Sequence, residues 1–314
     1  MNHETIVYPS SGGRGRVSAK LFTPGEGVSP RAVLQISHGM CEHMGRYEEF
    51  AAWLCGQGFA VCGNDHLGHR NTALLNQEKL GYFGPRGSRK YLVEDLELLR
   101  RQVAGRYPGV PYFLLGHSMG SFIARLYAAS LGRELTGLLI SGTAGRNPAA
   151  GLGKALARTV AAARGPQYVS DLVYGLANGS FNKGFADPAT PVDWLSRDPA
   201  VCARYCRDSF CTFKFTVSAY YELFDMVDRC NRPQWYASMP KDLPILIFSG
   251  GKDPVGANGD GPCEVYKGLL AAGAARTQLK LYPGGRHEML NELNKDEVYG
   301  DILAWMEEVI AQRP

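Results

Sequence analysis

Tyr112-Phe113-Leu114-Leu115-Gly116-His117-Ser118-Met119-Gly120 carries four strand-forming residues straight into a serine flanked by glycines, and a helical pattern follows over 121–131. The central pentapeptide fits GxSxG. Alone it says little, because a chain with 38 glycines produces such a pattern by chance often enough. Its setting says more. A turn that lifts a serine hydroxyl above the end of a strand needs strand, sharp bend and helix in that order. It also needs glycines beside the bend, where side chains would collide. The N-terminus of the following helix then lies beneath Ser118, where its dipole favours developing negative charge.

Outward from this elbow, apolar strand-like runs fall at 5–8, 16–22, 32–37, 60–64, 112–115 and 137–140, with helical patterns at 47–56, 92–107 and 121–131 between them. Leu92, Leu96, Leu99 and Val103 recur at three- and four-residue intervals and make one apolar stripe. Short apolar strands alternating with amphipathic helices indicate βαβ units and a mainly parallel sheet covered on both faces. The alternation pauses near Gly142 and resumes at Leu243, with strands at 243–249 and 279–282 and helices at 264–272 and 298–311. The expected fold is therefore α/β: a mainly parallel, eight-stranded sheet flanked by helices. A helical cap at 143–240 follows the sixth strand, on a core made of 1–142 and 241–314.

Composition narrows the partners. A net charge of +4 without a run of basic residues argues against nucleic acid. The polar N-terminus lacks a signal-peptide pattern, and no segment approaches the roughly 18 apolar residues of a membrane span. Eight cysteines without a regular framework read as reduced thiols of a cytoplasmic protein, peripheral to a membrane at most. Three groups could be imagined as metal ligands: Cys202, Cys206 and Cys211; His38, Cys41 and His43; and His66 with His69. None forms a recognised ligand spacing, so the cysteines read as buried and the histidines as braces, with no metal or cofactor expected.

A serine hydroxyl becomes a nucleophile only when a base takes its proton, and the base needs an orienting carboxylate. After a GxSxG elbow these partners follow in the order acid then histidine, each in a loop behind a late strand. Asp253 lies in Gly250-Gly251-Lys252-Asp253-Pro254 and His287 in Gly284-Gly285-Arg286-His287-Glu288, both at such positions. The oxyanion of a tetrahedral intermediate needs two backbone N–H groups. Met119, directly after the nucleophile, offers one. Met40, in the loop Ser37-His38-Gly39-Met40 after the third strand, offers the other.

The stretch His38-Gly39-Met40-Cys41-Glu42-His43-Met44-Gly45-Arg46-Tyr47 resembles the HGxxEHxxRY signature of monoacylglycerol lipases and their bacterial lysophospholipase-like relatives, which have the α/β-hydrolase fold. Asn64-Asp65-His66-Leu67-Gly68-His69 is similar to that family's DHxGHG loop, and Gly116–Gly120 to its GHSMG elbow. Phe181-Asn182-Lys183 and Asp193-Trp194-Leu195-Ser196-Arg197-Asp198 resemble the bacterial branch. The resemblance implies Ser118, Asp253 and His287 as the catalytic triad, Met40 and Met119 as the oxyanion hole, and a cap that shapes an acyl-chain tunnel. Two departures bear on substrate preference: Arg70 stands where the family has the last glycine of GHG, and Cys41 where it often has glycine.

Two features of the cap point towards the substrate. Leu152, Leu156 and Val160 share a helical face opposite Lys154 and Arg158. Such a stripe packs on the protein beneath it or rests transiently on a membrane or micelle surface. The aromatic segment Phe210, Phe213, Phe215, Tyr220, Tyr221 and Phe224 is a candidate lining for an acyl pocket. The implied reaction is hydrolysis of a small acyl ester, a monoacylglycerol or lysophospholipid, through an acyl-enzyme on Ser118. A small-ester carboxylesterase is the alternative, as is an aminopeptidase-like hydrolase that would draw on Glu222, Asp225 or Asp228 to hold the substrate amine. A ligand-binding protein without catalysis is the remote one.

Overall fold

The apolar runs become β1 (Asn2–Pro9), β2 (Arg16–Thr23), β3 (Val33–Ser37), β4 (Ala60–Asn64), β5 (Tyr112–His117), β6 (Gly137–Ser141), β7 (Ile245–Gly250) and β8 (Thr277–Tyr282). A computed structural model, describing residues 1–25 and 27–313, joins them in one sheet ordered β1-β2-β4-β3-β5-β6-β7-β8. β2 pairs antiparallel with both β1 and β4, and every pair from β4 to β8 is parallel. The five strands β3 to β7 are buried along their whole length, which is why they read as continuous apolar runs. β1 is exposed over its first half, so its polar start gives no strand signal.

Helices α1 (Glu48–Gly56), α2 (Arg70–Asn76), α3 (Arg89–Arg106) and α4 (Met119–Leu131) precede β6. Helices α5 (Ala149–Arg164), α6 (Asp171–Asn178), α7 (Pro199–Arg207), α8 (Val217–Cys230) and α9 (Pro233–Ser238) fill the interval before β7, and among the described residues that interval holds no strand. α10 (Asp260–Ala271) and α11 (Lys295–Ala311) complete the core. The apolar stripe of α3 joins α4, α8 and α10 on one face of the sheet. Phe50 and Leu54 of α1 meet Ile302, Trp305 and Met306 of α11 on the other.

α3 begins three residues before its apolar stripe because its N-terminus is capped from elsewhere: the Glu222 carboxylate of α8 accepts the Gly87 N–H at 2.6 Å and the Arg89 N–H at 3.2 Å. α5 buries only part of the stripe that its sequence suggests: Leu156 and Val160 pack partly buried against the core, and Leu152 does not. Its inward face is Ala150, Gly153 and Ala157, laid against α8 so closely that a Cβ at Gly153 would meet the Phe224 ring at 2.7 Å. Small residues give the close approach, and Leu152 is left 65% exposed.

The register carries the function. Ser37 pairs with Gly116, His117 with Ser141 and Gly250 with Tyr282, so the strand ends behind which the candidate residues follow lie along one edge. In a parallel sheet this carboxyl edge is where ligands bind.

Candidate active site

At the elbow Ser118 adopts φ 53° and ψ −121°, a backbone region that costs a non-glycine residue about 1–3 kcal/mol. Its surroundings hold it there. The Ser118 N–H donates to Ser141 O at 3.0 Å, and Ser118 O accepts the Ser121 N–H at 2.8 Å and the Ser121 hydroxyl at 2.6 Å. Gly116 and Gly120 are obligatory: a Cβ on Gly116 would run into Gly120 O, and one on Gly120 into Ser37 O. Ser118 itself keeps partial exposure between buried neighbours.

Asp253 and His287 are both buried and meet at 2.9 Å between Oδ2 and Nδ1. The other Asp253 oxygen accepts the Val255 N–H at 2.9 Å, and Ser249 Oγ lies 3.3 Å from Oδ2. A carboxylate can only accept, so His287 carries its proton on Nδ1 and leaves Nε2 as the base. Burial pulls the imidazole pKa down, but Asp253, Glu288 and Glu42 outweigh it and the net shift is upward. The ring lies beside the elbow: it is 4.7 Å, centroid to centroid, from His117, and a Cβ on Gly142 would sit 3.0 Å from its Cε1.

Across from it runs the loop after β3. Its Gly39 Cα faces the serine, since a Cβ there would be 3.0 Å from Ser118 Cβ. Among the described residues neither the Met40 nor the Met119 N–H donates to a protein acceptor, as an oxyanion site requires.

The loop is braced from both sides. His38 donates from Nδ1 to Gly39 O at 2.8 Å and accepts the His66 N–H on Nε2 at 3.0 Å, while the His66 ring pairs with Ser37 Oγ at 3.1 Å. Burial drives His66 down to about 3 and His69 to about 4, so these rings stay neutral. On the other side Glu42 accepts the Gly39 N–H, the Tyr47 hydroxyl at 3.0 Å and Arg46 Nη1 at 3.1 Å. Arg46 also forks onto Glu288 at 2.6 and 2.7 Å. Burial lifts Glu42 to about 7 despite Arg46, whereas the same guanidinium holds Glu288 below the usual carboxylate value. The sequence shows Glu42, Arg46 and Glu288 within motifs but gives no sign that they converge. Only the i,i+4 spacing of the first two hints at a pair.

Both departures from the family pattern acquire a reason. The turn that needs glycine is at Gly68 (φ 72°), where a Cβ would strike the Tyr82 backbone; Arg70 already belongs to α2. The Arg70 guanidinium instead sits 2.7 Å from His43 Nδ1 and over the Phe210 ring at 5.5 Å. Cys41 has φ 54°, which accounts for glycine at this position elsewhere. Here its thiol reaches Phe213 O at 3.1 Å.

His43, Asp208 and Cys211 bring one ligand atom each within 4.8 Å of one another. This trio differs from the groups suggested by sequence. Arg70 sets a permanent positive charge against the His43 ring, which opposes a cation there, and His43 Nε2 is already committed to Asp208 at 2.9 Å. The arrangement ties the loop after β3 to the segment after α7. The eight cysteines are all free thiols. Half of the aromatic segment packs inward: Phe215 and Tyr220 are fully buried and Phe224 lies on Gly153, leaving Phe210, Tyr221 and, beside Cys41, Phe213 partly buried.

Comparison with known proteins agrees with this architecture. Residues 28–294 match the family described as serine aminopeptidase, S33. The chain is 30% identical to human monoglyceride lipase over 294 residues, covering 88% of this chain and 83% of that one. It is 29% identical to the monoacylglycerol lipase of Mycolicibacterium smegmatis, covering 93% and 92%. A thermostable carboxyl esterase from Bacillus coagulans, solved in complex with glycerol, superposes with a TM-score of 0.91 at 33% identity over 99% of both chains. The chain belongs to the serine aminopeptidase S33 family, among its monoglyceride-lipase-like members, and is an enzyme, a hydrolase of the α/β-hydrolase fold.

Proposed function

We propose that this protein is a serine carboxylic-ester hydrolase that cleaves monoacylglycerols or lysophospholipids through an acyl-enzyme on Ser118. The observation that carries the reading is the buried Asp253–His287 pair beside a strained, accessible serine. His287 Nε2 takes the hydroxyl proton as Ser118 Oγ attacks the ester carbonyl, and the Met40 and Met119 N–H groups receive the oxyanion. The imidazolium then protonates the departing alcohol, and water repeats the cycle on the acyl-serine. Residues 143–240 act as a cap over a core of 1–142 and 241–314, and no metal or organic cofactor enters any step.

Glycerol beside a structurally similar esterase and the monoglyceride lipase relatives support a glycerol ester as substrate. A peptidase needs a free anion for the substrate amine, and the three candidate acids are engaged. Glu222 caps α3, Asp225 pairs with Arg89, Arg229 and Lys154, and Asp228 pairs with Lys154 and Arg232. Fatty-acid release from monoacylglycerols, lysophospholipids and short p-nitrophenyl esters tests the reading. Serine-dependent activity confined to the short esters would replace it with the carboxylesterase alternative.

The base must be neutral, so kcat/KM is expected to fall as pH drops through the His287 pKa, at a midpoint above that of an ordinary histidine. The same shift means that protonated His287 favours the folded state. That contribution is complete below the unfolded pKa and is lost as pH rises through the folded one. A pH–rate profile on a soluble ester checks the first statement, and a limb at or below about pH 6.5 would contradict it.

Lipid substrates lie in interfaces. Among the described residues no helix is long and apolar enough to cross a membrane. The cap, however, leaves Leu152 of α5 and Leu172 of α6 about two-thirds exposed, at 65% and 66%. A shallow contact of these two packed helices with a lipid surface follows. Leu152→Ser with Leu172→Ser is expected to lower activity on emulsified long-chain monoacylglycerol severalfold and to leave p-nitrophenyl acetate hydrolysis unchanged. Equal effects on both substrates would remove the surface contact from the account.

A further inference from the structure

The catalytic histidine has a neighbour from the cap that the triad does not require. The Trp194 ring lies 5.0 Å from the His287 ring, centroid to centroid, at an interplanar angle of 43°. Phe181 packs on Trp194 at 4.7 Å, and His117 packs on His287 at 4.7 Å, so four rings form one ladder from the cap into the core. The cap segment carrying Trp194 is fastened to the histidine loop by its backbone. His287 N–H donates to Trp194 O at 3.3 Å and Glu288 N–H to Leu195 O at 2.7 Å. Arg286 donates to Asp193 O and to Ser196 O at 3.1 Å, and the Arg197 side chain meets Glu292 at 2.9 Å. An aromatic ring is thereby held in register against the one side chain that becomes a cation during the reaction.

We infer that Trp194 is a positioning residue for catalysis, with its π-system stabilising the imidazolium form of His287 from the cap side. The inference rests on the triad reading above. When Ser118 Oγ bonds to the ester carbon, its proton passes to His287 Nε2 and the ring gains a full positive charge. When that proton passes on to the departing alcohol oxygen, the charge disappears. An aromatic face within about 6 Å favours the charged ring over the neutral one. The effect therefore falls on the transition state and the intermediate, not on the resting enzyme. Asp253, Glu288 and Glu42 supply negative charge to the same ring from the core, where Arg46 is paired with Glu42 and Glu288 and burial holds the adjacent His117 neutral. Trp194 is the cap's contribution, so a cap displaced from the histidine loop would weaken the base.

Three variants test this. Trp194→Leu is expected to lower the acid-limb pKa by about half a unit and kcat by about 3–10-fold, with Trp194→Phe restoring most of both. Tetrafluorotryptophan placed at 194 keeps the ring's shape but removes its negative face, and should shift the acid limb in the same direction without changing Tm. A purely structural Trp194 would alter Tm and leave the acid limb in place. An unmoved limb with both leucine and the fluorinated ring overturns the inference while fluorophosphonate labelling of Ser118 stands. Absence of that labelling in the wild-type enzyme overturns the triad reading and this inference together.

Discussion

With Ser118 replaced by alanine, kcat on every hydrolysed ester is expected to fall by about four to six orders of magnitude, while Tm hardly moves. The size follows from what the substitution leaves behind. Alanine removes Oγ but keeps the backbone of the elbow, so the Met119 and Met40 N–H groups and the bound substrate remain. In serine hydrolases such a remnant retains roughly 10³–10⁴ of rate enhancement over water. His287→Ala should cost nearly as much, because an unassisted serine is a poor nucleophile, and the double variant should be little worse than either single one. That non-additivity distinguishes a working unit from two residues that merely lie together. Single-turnover kinetics with fluorophosphonate titration of the wild-type enzyme measures it. Residual turnover above about 1% in Ser118→Ala would place the nucleophile elsewhere.

The second large effect lies in stability. Arg46→Met is expected to destabilise the fold by about 3–5 kcal/mol, the usual cost of removing one partner from a buried ionic cluster. Arg46 is the shared cation of Glu42 and Glu288, both almost inaccessible, and methionine leaves two carboxyl groups buried without a counter-charge. The loss should depend on pH. Glu42 already sits at about 7, so its contribution to stability is present below its unfolded value and disappears as pH rises through about 7. Without Arg46 the neutral acid is favoured still more. The variant should therefore lose more stability at high pH than at low pH, and Glu288→Gln in the same background should return part of it. Denaturant unfolding on either side of neutrality reads this directly. A pH-independent loss under about 1 kcal/mol would show that the cluster is not electrostatically coupled. A drop in kcat should accompany it, since Glu42 holds the Gly39 N–H of the loop proposed to receive the oxyanion.

Much of this molecule is legible in its amino-acid order. The strands β3 to β7 are buried on both faces, so their apolar runs stand out in the sequence. The elbow and the acid stand out because they follow two such strands, β5 and β7, and the histidine because it follows the last strand, β8. Element ends are less legible. α3 starts at Arg89 because Glu222, far along the chain, caps it. β1 and the start of β8 lean on one neighbour and carry exposed polar residues.

What local sequence determined about this protein is the order of its elements and the place of the residues proposed to react. Both are written in short windows: hydrophobic periodicity, and glycines wherever backbone meets backbone. What only the tertiary structure decided is how distant side chains share one buried space. Arg46 joins Glu42 to Glu288, Arg70 lies between His43 and the Phe210 ring, close packing at Gly153 leaves Leu152 of α5 exposed, and Trp194 meets His287. Most of these contacts join residues far apart along the chain. Their energies depend on burial and mutual distance, quantities that no local pattern of residues contains.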